Sequence, residues 1–343
     1  MLCRTDFALA EIERKYVESA MLNRQRTQRV VLRLFLVGLS ISSCGQVSQG
    51  FAREAGLPAL ERVGEEGFQL LREWYAYDKT IPLEARIVEK KEVAGVEREK
   101  IVLRTTQGFL APGYLQLPTV GEGPYPCVLL LHGWSGSKES WYEDDNYISG
   151  GNIRKGLLEQ GFAVFALDAH CHGDRIAEND YAVVNHYADE SQPVGSRRKG
   201  YFTQQEIYLQ TVVDYRRVLD YLETRSEIDA QRFGLVGYSM GGTQSFLLTG
   251  VEERIKVTVA CATPADAKRL SLIAPQNYVR GIGQRPFFMV MGSNDSMCPV
   301  PRAEQLFELI ESTTKQLKFY GGSHKLTPDF VPHAVEWVVE HLR

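Results

Sequence analysis

The chain lacks any excess of positive charge. Its 39 Lys and Arg are set against 43 Asp and Glu, for a net charge of −4. That balance leaves no electrostatic footprint for a nucleic-acid partner. There is no internal repeat and no long low-complexity tract, so solenoids and disordered arrays are excluded. Cysteine is scarce, six in 343 residues, with no metal-site spacing. Cys127 and Cys261 lie in apolar runs and read as core residues, while Cys171 and Cys298 fall in loops. A bridge between those two is conceivable but no spacing supports it. The apolar stretch Leu34–Ser43 is too short to span a bilayer.

What the chain does have is an alternation of strand and helix signals from about residue 99 onward, the pattern of one α/β domain. Upstream, residues 58–77 carry apolar side chains at roughly helical spacing (Leu60, Val63, Phe68, Leu71, Trp74), broken near Gly64 or Gly67. Segments 86–93, 100–104 and 109–117 read as strands joined by turns at Ala94-Gly95 and Gln107-Gly108, an antiparallel start to a sheet. Cys127–Leu131 and Phe162–Leu167 are continuous apolar runs, as expected of parallel strands covered on both faces. Residues 152–160, 203–224 and 301–312 read as helices; 255–260, 287–291 and 317–320 read as strands.

The most informative stretch is Phe233–Thr243. An apolar strand, Phe233–Val236, runs into Gly237-Tyr238-Ser239-Met240-Gly241 and then into a helical segment. Strand, glycine-flanked serine and helix form the context of a nucleophile elbow. A tight turn needs neighbours almost without side chains, and the helix that follows points its N-terminus at any anion formed there. Ser239 is therefore the candidate nucleophile. Asp295 follows the strand 287–291, with Asp266 as the alternative acid. His324 sits on Gly321-Gly322-Ser323-His324 after the last strand, where its ring can swing over the sheet edge. Serine, acid and histidine thus follow one another along the chain as Ser239, Asp295, His324.

A second glycine-rich turn, His132-Gly133-Trp134-Ser135-Gly136, follows the strand 127–131 directly. Backbone N–H groups of such a turn can line an oxyanion hole. With these motifs the chain resembles the α/β-hydrolases, closest to the dienelactone-hydrolase-like and acetyl-xylan-esterase-like branches, over roughly residues 99–343. The resemblance implies a mostly parallel eight-stranded sheet with helices on both faces. It also implies oxyanion donors at the N–H groups of Trp134 and Met240. Dienelactone hydrolases use cysteine where this chain has Ser239, a departure from that activity.

Trp134, Trp141, Tyr142 and Tyr147 stand close to Glu143, Asp144 and Asp145. They read either as aromatic faces for a sugar ring or aryl ester, or as ordinary packing in a surface loop. Asp168-Ala-His-Cys-His-Gly-Asp174 invites a metal reading, but related hydrolases carry a similar turn as structure, and no third ligand pair stands at metal spacing. Residues 176–200 form a polar insert with Arg197, Arg198 and Lys199, too polar for a lipase lid. No cofactor or metal is required. The expected activity is hydrolysis of carboxylic esters of short acyl groups, including acetyl esters of carbohydrate, through an acyl-enzyme. The alternatives are a serine peptidase of the prolyl-oligopeptidase type and a non-catalytic binding protein on the same scaffold. The stretch between Cys44 and the sheet is too short for the propeller that gates such peptidases.

Residues 1–50 do not read as fold. Arg24, Arg26, Arg29 and Arg33 precede the apolar Leu34–Ser43, which has the length of a signal h-region. Ile41-Ser42-Ser43-Cys44 resembles a bacterial lipobox, which implies export to the cell envelope and a lipid anchor at Cys44. The residues before the basic run are mixed in charge, which fits translation starting at Met21. A segment that is not a working signal would leave the protein cytoplasmic. The expected organisation is an export segment and linker (1–50), an N-terminal helix and first strand (51–98) and the catalytic domain (99–343).

Overall fold

Two turns with left-handed backbone set the start of the sheet. Ala94 (φ 53°) and Gly95 (φ 78°) both take positive φ, the two-residue hairpin loop whose twist matches that of its strands. They join β1 (Arg86–Val93) to β2 (Val96–Arg104). Gln107 (φ 56°) and Gly108 (φ 83°) do the same before β3 (Leu110–Gln116). The computed structural model describes residues 57–179, 202–265 and 270–343. The export segment with Cys44, most of the polar insert and Asp266 lie outside the described residues.

Six further strands complete the sheet: β4 (Tyr125–Leu131), β5 (Ala163–Leu167), β6 (Ile228–Tyr238), β7 (Ile255–Cys261), β8 (Phe287–Gly292) and β9 (Lys315–Tyr320). Their order is β1-β2-β3-β5-β4-β6-β7-β8-β9. β1, β2, β3 and β5 pair antiparallel, and every pairing from β5 across to β9 is parallel. The sheet thus has nine strands rather than eight. All nine fall at segments read as strands from the sequence, one more than the resemblance implies; the edge strand β1 is exposed along nearly its whole length and carries Glu89, Lys90, Lys91 and Glu92. An edge strand with both faces wet leaves no hydrophobic pattern and is guarded by charge.

The helices are α1 (Glu65–Glu73), α2 (Gly150–Glu159), α3 (Gln204–Leu222), α4 (Met240–Val251), the one-turn α5 (Val279–Ile282), α6 (Val300–Glu308) and α7 (Phe330–Leu342). Gly64, one of the two expected break points, is the N-cap of α1. At α3 the Thr203 hydroxyl accepts from the Glu206 N–H, and the Glu206 carboxylate accepts from the Thr203 N–H. This reciprocal box satisfies two otherwise orphaned donors and fixes where the helix begins.

Each central strand feeds two cores. Leu129 and Leu131 face the layer of α1, α3 and α4, whereas Val128 and Leu130 face α2 and α7. In β6, Leu235 joins the first core and Val236 the second. Both faces are apolar, so the strands read as unbroken hydrophobic runs. The chain passes from β4 outward to β5 and then returns to β6 on the opposite side of β4. That reversal opens a crevice at the carboxyl ends of β4 and β6, the usual location of a site in an open α/β sheet.

Candidate active site

The end of β6 is built around close backbone approach. Ser239 takes φ 58° and ψ −113°, a left-handed conformation costly for any residue but glycine. A Cβ on Gly237 would lie 2.2 Å from the Gly241 carbonyl oxygen, and one on Gly241 would lie 2.1 Å from that of Leu131. Neither position admits a side chain, which explains the glycines on either side of the serine. The turn is tied down by bonds from the Ser239 N–H to the Cys261 oxygen (2.9 Å) and from the Gly241 N–H to the His132 oxygen (3.1 Å).

The structure brings Ser239, His324 and Asp295 together although they come from three separate loops. Ser239 Oγ is 2.7 Å from His324 Nε2, and His324 Nδ1 is 2.7 Å from Asp295 Oδ2. The Asp295 side chain has no exposed surface, and that of His324 is 16% exposed. The other Asp295 oxygen accepts from the Met297 N–H at 2.8 Å, which fixes the carboxylate plane. His324 rides on a tight turn after β9 in which Gly322 has φ 99° and bridges to Leu326. An imidazole held in this way can take a proton from the serine at Nε2 while its Nδ1–H stays on the carboxylate.

The turn after β4 lies against the serine: a Cβ on Gly133 would be 3.4 Å from Ser239 Cβ. Trp134 stands on this turn and Met240 opens α4, so both backbone segments flank Ser239. A helix-opening N–H has no intrahelical acceptor and is available to an anion. His132 is the hub of the turn. Its Nε2 accepts from the Ala169 N–H (3.0 Å) and its Nδ1 donates to the Gly133 oxygen (2.8 Å), which fixes the neutral tautomer. Burial pushes the His132 imidazole down to about 4, outweighing the bond to Gly133. Burial likewise lowers neighbouring His172 to about 3.

The Asp168–Asp174 stretch supports this turn from behind. The buried Asp168 carboxylate accepts from the Lys138 N–H (2.8 Å), the Lys138 ammonium (2.7 Å) and the Asp174 N–H (2.9 Å). Burial opposes the charge on Lys138, but Asp168 and Asp174 overcome it and hold its pKa above the usual lysine value. His170 Nδ1 lies within bonding distance of Glu178 and Arg175, and His172 Nδ1 bonds to the His170 carbonyl oxygen. These residues are occupied with one another rather than converging on an open point. Among the described residues, no group of three His, Cys, Asp or Glu is placed to hold a metal ion. The four described cysteines, Cys171 and Cys298 included, are buried and free.

A cavity of about 470 Å³ opens over the serine, lined by Ser239, His324, Trp134, Tyr147, Glu143 and Met297 among others. The aromatic group expected from sequence divides here. Trp134 and Tyr147 face the cavity, whereas Trp141 is fully buried in the core. Tyr142 is held between the Arg98 and Arg154 guanidinium groups. Trp74 and Tyr77 line a separate hollow beside α3, and Tyr75 is core. His333 bonds to Tyr320, away from the site. Sequence reasoning missed Lys138 and His132 as supports of the turn after β4, and it missed the Tyr238 hydroxyl, which reaches the His324 turn. Lys138 and Asp168 are thirty positions apart with no motif between them, so no sequence signal pairs them.

Known proteins share this architecture. A sequence model described as the alpha/beta hydrolase fold matches residues 126–282, the span from β4 through α5 that contains Ser239. The "Putative hydrolase YtaP" of Bacillus subtilis (strain 168) is 24% identical over 66% of this chain and 79% of its own length. The "Uncharacterized peptidase YuxL" of the same organism is 23% identical over 67% of this chain, but the match spans only 36% of that protein. Among solved structures, an acetyl xylan esterase from Paenibacillus sp. R4 superposes with a TM-score of 0.62 at 18% identity, covering 83% of this chain and 97% of that one. Strand order, the left-handed serine turn after β6 and these likenesses agree that the chain is an α/β-hydrolase-fold protein.

Proposed function

We propose that the protein is a serine hydrolase of carboxylic esters with short acyl groups, acting through an acyl-enzyme. The observation that carries this reading is the pair of 2.7 Å contacts that link Ser239 Oγ to His324 and His324 to Asp295. In the proposed mechanism, His324 Nε2 takes the Ser239 proton as Oγ attacks the ester carbonyl. Asp295 holds the imidazole and stabilises the imidazolium. The N–H groups of Trp134 and Met240 receive the oxyanion, each such donor being typically worth about 3 kcal/mol of barrier. The tetrahedral intermediate collapses as His324 returns its proton to the leaving alcohol, and water then releases the acid by the reverse sequence.

The acyl and alcohol chemistry rests on the cavity walls. Trp134 and Tyr147 offer aromatic faces, with Glu143 and Asn146 beside them as hydrogen-bonding groups. Rings beside polar groups suit a sugar, and the likeness to an acetyl xylan esterase points the same way, towards acetyl esters of carbohydrate. The likeness to YuxL keeps a peptidase as the second reading. We further propose export and a lipid anchor at Cys44, checked by the intact mass of the chain from a membrane fraction. A mature chain beginning elsewhere than Cys44 defeats the anchor.

The test of the activity is turnover of p-nitrophenyl acetate and longer acyl esters by wild type beside Ser239→Ala, with fluorophosphonate labelling of both. Wild type is expected to hydrolyse short esters and to label, and the variant to do neither. Equal inertness of both towards esters and probe, with peptide cleavage also absent, leaves the binding protein. Cleavage of peptides in preference to esters favours the second reading.

A further inference from the structure

Tyr238 directly precedes the serine, so its backbone moves with the nucleophile, yet its side chain crosses to the histidine's loop. Its hydroxyl donates to the His324 carbonyl oxygen at 2.9 Å and accepts from the Leu326 N–H at 3.0 Å. The two partners flank Lys325, so one oxygen clamps both ends of the turn that carries the imidazole. We propose that Tyr238 is a positioning residue for proton transfer, its hydroxyl locking the His324 turn to the serine's own strand. This rests on the reading of Ser239 and His324 as nucleophile and base.

The surroundings make the clamp rigid. Tyr238 is fully buried, with Phe330 at 6.1 Å and Tyr147 at 5.8 Å between ring centroids. Tyr147 also packs against the His324 ring at 6.1 Å, closing the triangle over the site. Burial drives the Tyr238 phenol well above its ordinary range, so the O–H stays a donor at any working pH. Apart from the His324 ring itself, the turn is held by backbone contacts of Gly321 and Gly322 with Thr327, Asn294 and Leu326 and by the exposed Thr327 hydroxyl, which donates to the Gly321 oxygen at 3.3 Å. Neither glycine has a side chain with which to anchor it. A misplacement of reacting groups by about 1 Å can cost on the order of 100-fold in rate, so a clamp on this turn bears directly on turnover.

The test compares Tyr238→Phe with Tyr320→Phe. The second deletes a hydroxyl from the residue that ends β9, where it bonds His333 Nδ1 at 2.8 Å and not the site. The expected result for Y238F is a fall in kcat on p-nitrophenyl acetate of about tenfold or more with KM within about twofold. Fluorophosphonate labelling is expected to slow in proportion, and the downfield proton NMR signal of the His324–Asp295 bond to broaden or vanish. Y320F is expected to keep kcat and the signal even where its melting temperature falls. A Y238F enzyme that keeps both kcat and the proton signal overturns the proposal. So does an equal kcat loss in Y320F, or a Y238F chain that does not fold, because either assigns the hydroxyl to general stability. If wild type is inert towards esters and probe but the signal is lost only in Y238F, the clamp stands and the esterase reading falls.

Discussion

The Lys138 ammonium lies 2.7 Å from the Asp168 carboxylate, and neither side chain has more than 1% of its surface exposed. The pair sits immediately behind the turn that carries Trp134. Asp168 also accepts from two backbone N–H groups, so its charge is fully engaged. Removing one member of such a pair leaves the other charge buried without compensation, which typically costs about 3–5 kcal/mol. Lys138→Met is therefore expected to lower the unfolding free energy read from urea titration by that amount, with a matching fall in the midpoint, and to reduce turnover of p-nitrophenyl acetate as the turn loosens. The double variant Lys138→Met/Asp168→Asn is expected to recover part of the stability, because no lone buried charge remains. Equal midpoints for wild type and Lys138→Met would mean the pair contributes nothing.

Stability should fall between pH 7 and pH 5 because two histidines are buried neutral. Free histidine titrates near about 6.5. Burial holds His132 down at about 4 and His172 at about 3 in the folded chain. His132 faces Lys138 and His172, while His172 faces Asp168 and His170. Both groups have a depressed folded pKa, so the unfolded chain binds the extra protons as pH falls. The contribution is complete above about pH 6.5 and is lost progressively towards pH 4 and below, on the order of 2 kcal/mol per histidine by pH 5. Urea titrations at pH 7, 6 and 5 measure the slope. His172→Gln, which cannot titrate, is expected to halve it; an unchanged slope would place the titration elsewhere.

The parts of this site visible in the sequence are those where backbone geometry constrains residue type. Gly237 and Gly241 are forced by carbonyl oxygens within 2.2 Å of where a Cβ would stand, and such constraints write a motif. Unbroken runs such as Cys127–Leu131 declared a strand covered on both faces. The edge strand β1 has no buried face to impose a pattern, yet it was legible through the Ala94-Gly95 turn that ends it; the count of eight strands came from the resemblance alone. The fate of the aromatic residues was hidden for a different reason. Trp141 and Trp134 are seven positions apart with similar neighbours, and only the 3-10 turn Lys138–Trp141 sends one into the core and leaves the other at the cavity. The supports of the turn after β4 were hidden because hydrogen bonds between distant loops leave no spacing to read.

Glu143 should tune which esters the site accepts. Among the described residues that line the cavity, it is the one acidic side chain, and no Lys or Arg stands with it. The carboxylate is exposed, so its influence on a bound charge is modest and screened by salt. It favours neutral, hydroxyl-bearing or cationic alcohol groups and disfavours anionic ones, while Trp134 and Tyr147 offer their faces to a cation. Three acetate esters of similar size measure this: acetylcholine, its uncharged isostere 3,3-dimethylbutyl acetate, and the acetate of glycolate. Wild type is expected to prefer the first two over the third by kcat/KM. Glu143→Gln is expected to narrow the gap between cationic and anionic esters by about threefold to tenfold and to leave the neutral ester within about twofold. The gap in wild type should also shrink as ionic strength rises from about 0.01 to 0.5 M, since the Debye length falls well below the width of the cavity. A charge preference untouched by both the substitution and the salt would remove Glu143 from the determinants of specificity and leave the choice of ester to the shape of the pocket.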